Sequence, residues 1–386
     1  MAAGRRAAVA LLAVLLLLGL GLWSQRKPIA QRLVDAEFRA RGVPARYRIA
    51  TLGPGVQRLR GVVIGDPAAP DLVADELVLR WRYGFGLPRL AAVEARGVRL
   101  RGRLADGRLS FGAVDRLLPP AGDAPFALPD VRLRLADARL SLATPAGAIG
   151  LGIAGEGDLA DGFAGRIVAR APSLVSGGCV ARDATADMAV RITDRRPRLS
   201  GPATVTMAEC ARVSLAQPRL SLIATLEPSL GPRTLDATLT TARAAAAGET
   251  AATMRARVTY DAADARDRHG TLALAAEDVR TRYGAARRVT WQGPYRIGAA
   301  VGGARARPLR FSGDLAAQGA TIPAGARAEG IARGLAGTPL APIARSRGAA
   351  IAAASRSVDL SAALAFDGDV GGRVRPVAGE MRVTGA

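Results

Sequence analysis

A period of two runs through almost the whole chain beyond residue 43. Tyr47, Ile49 and Thr51 alternate with Arg46, Arg48 and Ala50. Leu77, Leu79, Trp81 and Tyr83 alternate with Glu76, Val78, Arg80 and Arg82. The pattern returns at Val131-Leu133-Leu135, Leu220-Leu222-Ala224-Leu226, Met254-Ala256-Val258-Tyr260 and Val358-Leu360-Ala362-Leu364-Phe366. Successive side chains of a strand point to opposite faces, so each run carries one apolar and one polar face. Turn signals at Asp106-Gly107, Pro145-Ala146-Gly147 and Asp367-Gly368 punctuate the runs at the spacing of hairpins and meanders. The expected body is therefore mainly β and antiparallel.

Composition bears on what covers the apolar faces. Of 386 residues 49% are hydrophobic, largely alanine, and only 4% are aromatic. Globular sandwiches of this length bury more bulk. The pattern suits an extended sheet whose apolar side is covered by something other than polypeptide, and a stack of ordinary sandwiches is the rival. The candidate lining of that side is Ile49, Leu77, Leu79, Trp81, Leu133, Leu135, Leu220, Leu222, Val258, Leu360 and Leu364. Arg58, Arg60, Arg80 and Arg82 read as the solvated face; their functional alternative is a rim that holds phosphate groups by charge-assisted hydrogen bonds.

The amino terminus reads differently. Arg5 and Arg6 precede an uncharged run from Ala7 to Trp23, closed by Arg26 and Lys27. As a helix the run rises about 26 Å, near the lower limit for crossing a hydrocarbon core. No Ala-x-Ala cleavage site follows, and Trp23 is a residue type enriched at membrane interfaces. Residues 1–27 are thus expected to be an uncleaved signal anchor, with Ala7, Leu11, Leu15, Leu18, Leu22 and Trp23 in the membrane. Residues 28–42 follow as a short helix that stops at Gly42. Residues 43–119 are expected to form an amino-terminal β module and 120–386 an extended run of β repeats, bounded by the proline-bearing stretch Pro119–Pro129. An alanine-rich stretch near 324–354 is expected to add one or two short helices on the sheet.

Several chemistries lose their residues. The formal charge is +21, carried by arginine apart from Lys27, which draws the chain to anionic surfaces. The anchor and the amphipathic strands favour a lipid surface over nucleic acid. His269 is the only histidine and sits in what reads as a polar turn, so common nucleophile–histidine pairs have one candidate base and no enzyme is expected. Gly150-Leu151-Gly152-Ile153-Ala154-Gly155 fits a dinucleotide fingerprint, but no helical period follows it, and a glycine-rich hairpin is the better reading. Asp261, Asp264 and Asp267 lack the glycine and closing glutamate of a calcium loop. No cofactor and no metal is expected. Cys179 and Cys210 are either a bridge between neighbouring strands or two buried thiols.

The segment from Leu33 to Pro119 resembles the amino-terminal region of the YdbH family, relatives of TamB and the AsmA-like group. The likeness is carried by Arg41-Gly42-Val43, Tyr47-Arg48-Ile49, Gly61-Val62-Val63-Ile64-Gly65-Asp66-Pro67 and Pro70-Asp71-Leu72-Val73-Ala74. It continues through Trp81 to Pro88, Val98-Arg99-Leu100-Arg101-Gly102-Arg103-Leu104 and Asp115-Arg116-Leu117-Leu118-Pro119. Beyond the first third it gives way to generic alternation. The resemblance implies an inner-membrane protein with its body in the periplasm, carrying phospholipid toward the outer membrane along a curled, elongated antiparallel β groove. Partners implied are phospholipid, the inner membrane and an outer-membrane component. Family members are longer, so the chain is expected to be truncated or short at its carboxyl end. The competing expectation is an assembly factor for outer-membrane proteins that offers exposed strand edges as templates.

Overall fold

A computed structural model of the chain describes residues 31–32, 35–53, 55–84, 89–106, 108–117, 128–262, 268–282, 284–298, 307–321, 357–369 and 374–385. The apolar run of residues 7–23, most of the proline-bearing stretch and the alanine-rich stretch near 324–354 lie outside the described residues. Among those described, no helix is long and apolar enough to cross a membrane. The molecule is mainly β, as the alternation requires. It divides into two compact units: residues up to Ile167 with Ile192–Asp194, and Val168–Arg191 with the chain from Arg195 onward.

The first unit opens with a short helix whose described residues are 31–32 and 35–40. Gly42 ends it in the left-handed conformation, φ 64°. The amide of Val43 donates to the Phe38 carbonyl (2.8 Å) and that of Gly42 to Arg39 (3.0 Å). This six-to-one and five-to-two pair satisfies carbonyls that a helix end leaves open. Strands β1 (Ala45–Leu52), β2 (Val56–Ile64), β3 (Leu72–Arg82) and β4 (Arg89–Arg96) follow as an antiparallel meander. Next come β5 (Arg99–Ala105), the short β6 (Arg108–Ser110) and a 3₁₀ turn, Gly112–Leu117. The turn is held by Asp71, which accepts from the Ala113 amide at 2.9 Å, and by Arg116, which donates to the Gly42 carbonyl at 2.6 Å. Val43, Val62, Ile64 and Ala74 are buried beneath the helix and this turn, with Phe38, Tyr47, Leu72, Val114 and Leu117 packed around them.

Two expectations are corrected here. The pairing is not wholly antiparallel: β7 (Arg132–Thr144) runs parallel to both β4 and β5. The stretch between Ala105 and Arg132 is long enough to carry the chain back to the starting end, as a parallel neighbour demands. Thr51 does not share a face with Ile49, because a register shift between them turns Thr51 outward and Leu52 inward. Strand β8 (Gly147–Asp158) then closes a hairpin on β7, and the glycine-rich segment 150–155 lies in its middle. The unit boundary falls inside β9 (Phe163–Ser176).

The second unit contains β10 (Cys179–Thr193), β11 (Arg196–Thr204), β12 (Met207–Cys210), β13 (Val213–Ala216) and β14 (Arg219–Leu226). It continues with β15 (Pro232–Thr241), β16 (Arg243–Ala246), β17 (Glu249–Ala251), β18 (Thr253–Asp261) and β19 (Arg268–Thr281). The last strands are β20 (Gly284–Ile297), β21 (Pro308–Ala320), β22 (Val358–Asp369) and β23 (Val374–Gly385). Strands β11, β14, β15, β18, β19, β20, β21, β22 and β23 pair antiparallel in that order. His269 is not in a turn but in β19, opposite Asp261. Asp367-Gly368 is not a turn either; both residues pair within β22. In each case a neighbouring strand supplies ladder partners that extend the strand past the local turn signal.

A recurring device bends these strands. Asp183, Gln217, Asp278 and Gly319 adopt positive φ (51°, 51°, 49° and 61°) inside or between strand segments, as do Gly97 and Asp137 in the first unit. One extra residue in the left-handed region bends a strand while leaving its apolar set on one side. Thus β7 shifts register between Leu135 and Ala138, and β21 between Ala317 and Ala320. Beyond these bends in the second unit the short strands β12, β13, β16 and β17 pair in sequence, and Thr250 of β17 meets Arg280 of β19. They form a short flank along one end of the long strands.

Candidate functional site

The ladders assemble the apolar residues into continuous rows. In the second unit one row reads Leu220, Leu239, Ala256, Leu274, Trp291, Leu315 and Ala362, each opposite the next. Beside it run Leu222, Ala237, Val258, Leu272 and Gly293, followed by Gly313 and Leu364. The next row is Ala224, Leu235, Tyr260, Gly270, Tyr295, Phe311 and Phe366. On the flank side lie Thr241, Met254, Ala276, Val289, Ala317 and Leu360. The reverse face carries Ser221, Thr238, Arg257, Ala273, Gln292 and Asp314 in one such row. There Arg257 donates two hydrogen bonds to Asp236, at 3.0 and 2.7 Å, which holds that carboxyl below its ordinary range.

The apolar rows are only half-buried. Among the described residues no large side chain is fully buried, and the buried members of these rows are small residues: Ala224, Ala276, Ala362, Gly270, Gly293 and Thr241. A residue inside a packed core touches neighbours on all sides; here most members of each row keep part of their surface open to solvent.

The lining residues expected from sequence fall on these rows. Leu222, Val258 and Leu364 share one row, Leu220 lies in the next, and Leu360 on the flank side. In the first unit Ile49, Leu59, Leu77, Ala95, Leu135 and Gly155 form a comparable row. Leu79, Val93 and Leu133 form its neighbour, and Trp81 lies beyond, opposite Leu90. Tyr83, read as part of that face, lies past the strand end and is 59% exposed. Val78 and Arg80 lie on the other face of β3, where Val78 is buried and Arg80 pairs with Glu94 at 2.9 Å. Arg58 and Arg60 are both ion-paired with Glu76.

Sequence reasoning missed how the scarce aromatics are used. A Cβ on Gly313 would meet the Trp291 indole at 2.9 Å, one on Gly270 the Tyr295 ring at 2.7 Å, and one on Gly155 the Phe163 ring at 2.7 Å. Each ring lies over a glycine on a neighbouring strand, a known way to shield exposed strand backbone. Trp291 meets Phe311 edge-on (centroids 5.4 Å), and Phe311 stacks on Phe366 at 4.6 Å. The Tyr295 hydroxyl donates to the Thr259 carbonyl at 2.7 Å, and burial, then the nearby Tyr260, raises its pKa. These ring–glycine pairs join consecutive strands, and their register, which the residue types alone do not give, decides which ring meets which glycine.

Cys179 and Cys210 stand opposite each other on β10 and β12 and are joined as a disulfide. Among the described residues no group of three or more His, Cys, Asp or Glu is placed to hold a metal.

The fold is that of a mainly β protein with long rows of partly buried apolar side chains on one face and polar residues behind them. The profile of the YdbH-like family, described as the intermembrane phospholipid transport protein YdbH, matches residues 14–374, and the chain belongs to that family. The match reaches far beyond the amino-terminal third that carried the resemblance. No curated protein and no solved structure matches the chain. The family is one of intermembrane phospholipid transport, and phospholipid is the ligand it implies.

Proposed function

We propose that the chain is a phospholipid conduit: the run 7–23 anchors it in the inner membrane, and the periplasmic body carries lipid toward the outer membrane on its apolar face, breaking no bond. The observation that carries this reading is the set of half-buried rows from β14 to β22, backed by a polar face. A diacyl lipid has about thirty methylenes, and at about 0.8 kcal/mol each their exposure to water costs on the order of 25 kcal/mol. A surface that removes part of that exposure lowers the barrier to leaving a bilayer. The disulfide supports an oxidising compartment such as the periplasm.

Native mass spectrometry of the detergent-extracted protein, combined with photocrosslinkers at Leu222 and at Thr238, tests the proposal. Phospholipid adducts are expected, with lipid crosslinked at Leu222 and not at Thr238. Lipid-free protein, or equal labelling of the two positions, overturns it. Capture of a barrel-assembly partner without lipid would favour the template role instead.

A further inference from the structure

The two ends of the apolar rows in the second unit differ in chemistry. At one end Arg233 and Arg268 stand on the apolar face itself. Arg233 alternates in phase with Leu235, Ala237 and Leu239, and Arg268 with Gly270 and Leu272. They flank Ala262, whose amide donates to the Arg233 carbonyl at 2.8 Å. Both arginines are half-buried, and Arg233 is paired with Glu227 at 2.8 Å. The adjacent row brings the Tyr260 and Tyr295 rings. At the other end every residue of the row is uncharged: Thr241, Met254, Ala276, Val289, Ala317 and Leu360. The Thr241 hydroxyl is taken up by the carbonyls of Ala216 and Arg243, at 2.6 and 2.8 Å. Beyond it the short flank presents Ala208, Leu215, Ala244 and Ala251 in one row.

Along β15, β18 and β19 arginine (Arg233, Arg268) gives way to Tyr260, then to Leu239, Leu272 and Leu274, then to Met254 and Ala276, a gradient along the strand direction; on β20 and β21 the outermost position is apolar, Ile297 and Leu309. The gradient matches a phospholipid read from phosphate to methyl end. The eight steps from Arg268 to Ala276 span about 27 Å, and one leaflet with its headgroup is about 20 Å thick. Guanidinium groups suit a phosphate diester through charge-assisted hydrogen bonds, and tyrosine suits the wet boundary of an apolar zone.

We infer that phospholipid lies lengthwise along these strands with one polarity, its phosphate held at Arg233 and Arg268 beside the two tyrosines and its acyl ends against the flank of β12, β13, β16 and β17. The inference rests on the conduit reading, and the test separates the two. Trp23→Phe and Trp81→Phe leave Trp291, in the middle of the face, as the sole tryptophan of the full chain. Adding Trp291→Phe allows a single indole to be moved to one end by Tyr295→Trp or to the other by Leu215→Trp, with Met254→Trp reporting the same end where Leu215→Trp does not fold. The probes are phosphatidylcholine with a nitroxide on its headgroup and phosphatidylcholine dibrominated at carbons 11 and 12, each in mixed micelles.

The headgroup probe is expected to quench the Tyr295→Trp indole more strongly than the bromines do, and the order to reverse at the flank. Equal or inverted orders, with Trp291 still quenched, overturn the polarity and leave the conduit standing. Absence of Trp291 quenching by either lipid overturns the conduit reading itself. Arg268→Gln is expected to weaken phosphatidylcholine binding about tenfold and to leave diacylglycerol unaffected; an equal fall for both assigns Arg268 to packing. A saturable response of the Tyr295→Trp emission to inorganic phosphate without lipid would mark a free-anion site and count against the headgroup assignment.

Discussion

The helix-covered sheet of β1–β3 and the open rows of β14–β22 are built from the same alternating strands and end in opposite states. Under the amino-terminal helix and the 3₁₀ turn, Val43, Val62, Ile64 and Ala74 are 3%, 5%, 7% and 1% exposed. In β14–β22 leucines such as Leu222, Leu272 and Leu274 are only partly buried, and the buried positions are small residues such as Ala224, Gly270 and Ala276. A difference in cover accompanies that difference in burial. A helix ended by Gly42, a turn pinned by Asp71 and the bond from Arg116 to the Gly42 carbonyl make a lid of protein. The second region has no helix among its described elements, and rings are laid over glycines on its face.

The sharpest break of that comparison is a carboxylate placed in each region. Ile64→Asp puts an unpaired charge under the lid and is expected to cost more than about 4 kcal/mol, abolishing the cooperative melt of the first unit. Leu272→Asp leaves its charge in reach of water and is expected to cost within about 1 kcal/mol while removing bound lipid. Thermal melting and limited proteolysis of the full chain in detergent measure both. Equal destabilisation would mean that the second face is sealed after all.

A smaller effect comes from the disulfide. It closes a loop of 31 residues at the end of the flank. Chain-entropy reasoning gives about 3–4 kcal/mol for a loop of that size. Paired Cys179→Ser and Cys210→Ser substitutions should therefore raise proteolytic cleavage around residues 179–216 and leave the helix-covered core of the first unit intact. Loss of both together would show that the two regions unfold as one.

How much of this was legible in the sequence follows from the range of each interaction. Period-two alternation is local, and it assigned faces to Leu77, Leu133 and Leu222 without knowledge of their partners. The helix stop at Gly42 is local too. What a strict period conceals is the reset at a left-handed residue: counting by twos from Leu135 puts Leu140 on the wrong side. Asp137 absorbs one residue and returns Leu140 and Leu142 to the face of Leu133. Ala136-Asp137-Ala138, Arg182-Asp183-Ala184 and Glu277-Asp278-Val279 share a visible signature, an aspartate set between strand residues where alternation slips. The ring-over-glycine pairs depend on the exact register of consecutive strands, and the parallel placement of β7 and the Cys179–Cys210 pairing join more distant segments. None of those can be found by spacing.

The lid itself offers the finest test. Tyr47 on β1 donates to the Asp35 carboxylate of the helix at 2.7 Å and packs its ring 5.8 Å from that of Phe38. Burial, then the bond to Asp35 and its charge, push the phenol well above its ordinary value. A group whose folded pKa is raised contributes stability in full below its unfolded value, near pH 10, and loses it as pH rises toward the folded value, because only the unfolded chain gives up the proton readily. The lid should consequently loosen in alkali, from about pH 10 upward. Tyr47→Phe, which removes a hydrogen bond to a charged acceptor, should cost about 1.5 kcal/mol at neutral pH and flatten that alkaline slope. Hydrogen exchange at the Val62 and Ala74 amides across this range reads the lid, and the same measurement at Leu272 reads the open face, where Tyr47 has no part. An alkaline slope that survives Tyr47→Phe would place the titrating group elsewhere and detach the helix from the stability of the core beneath it.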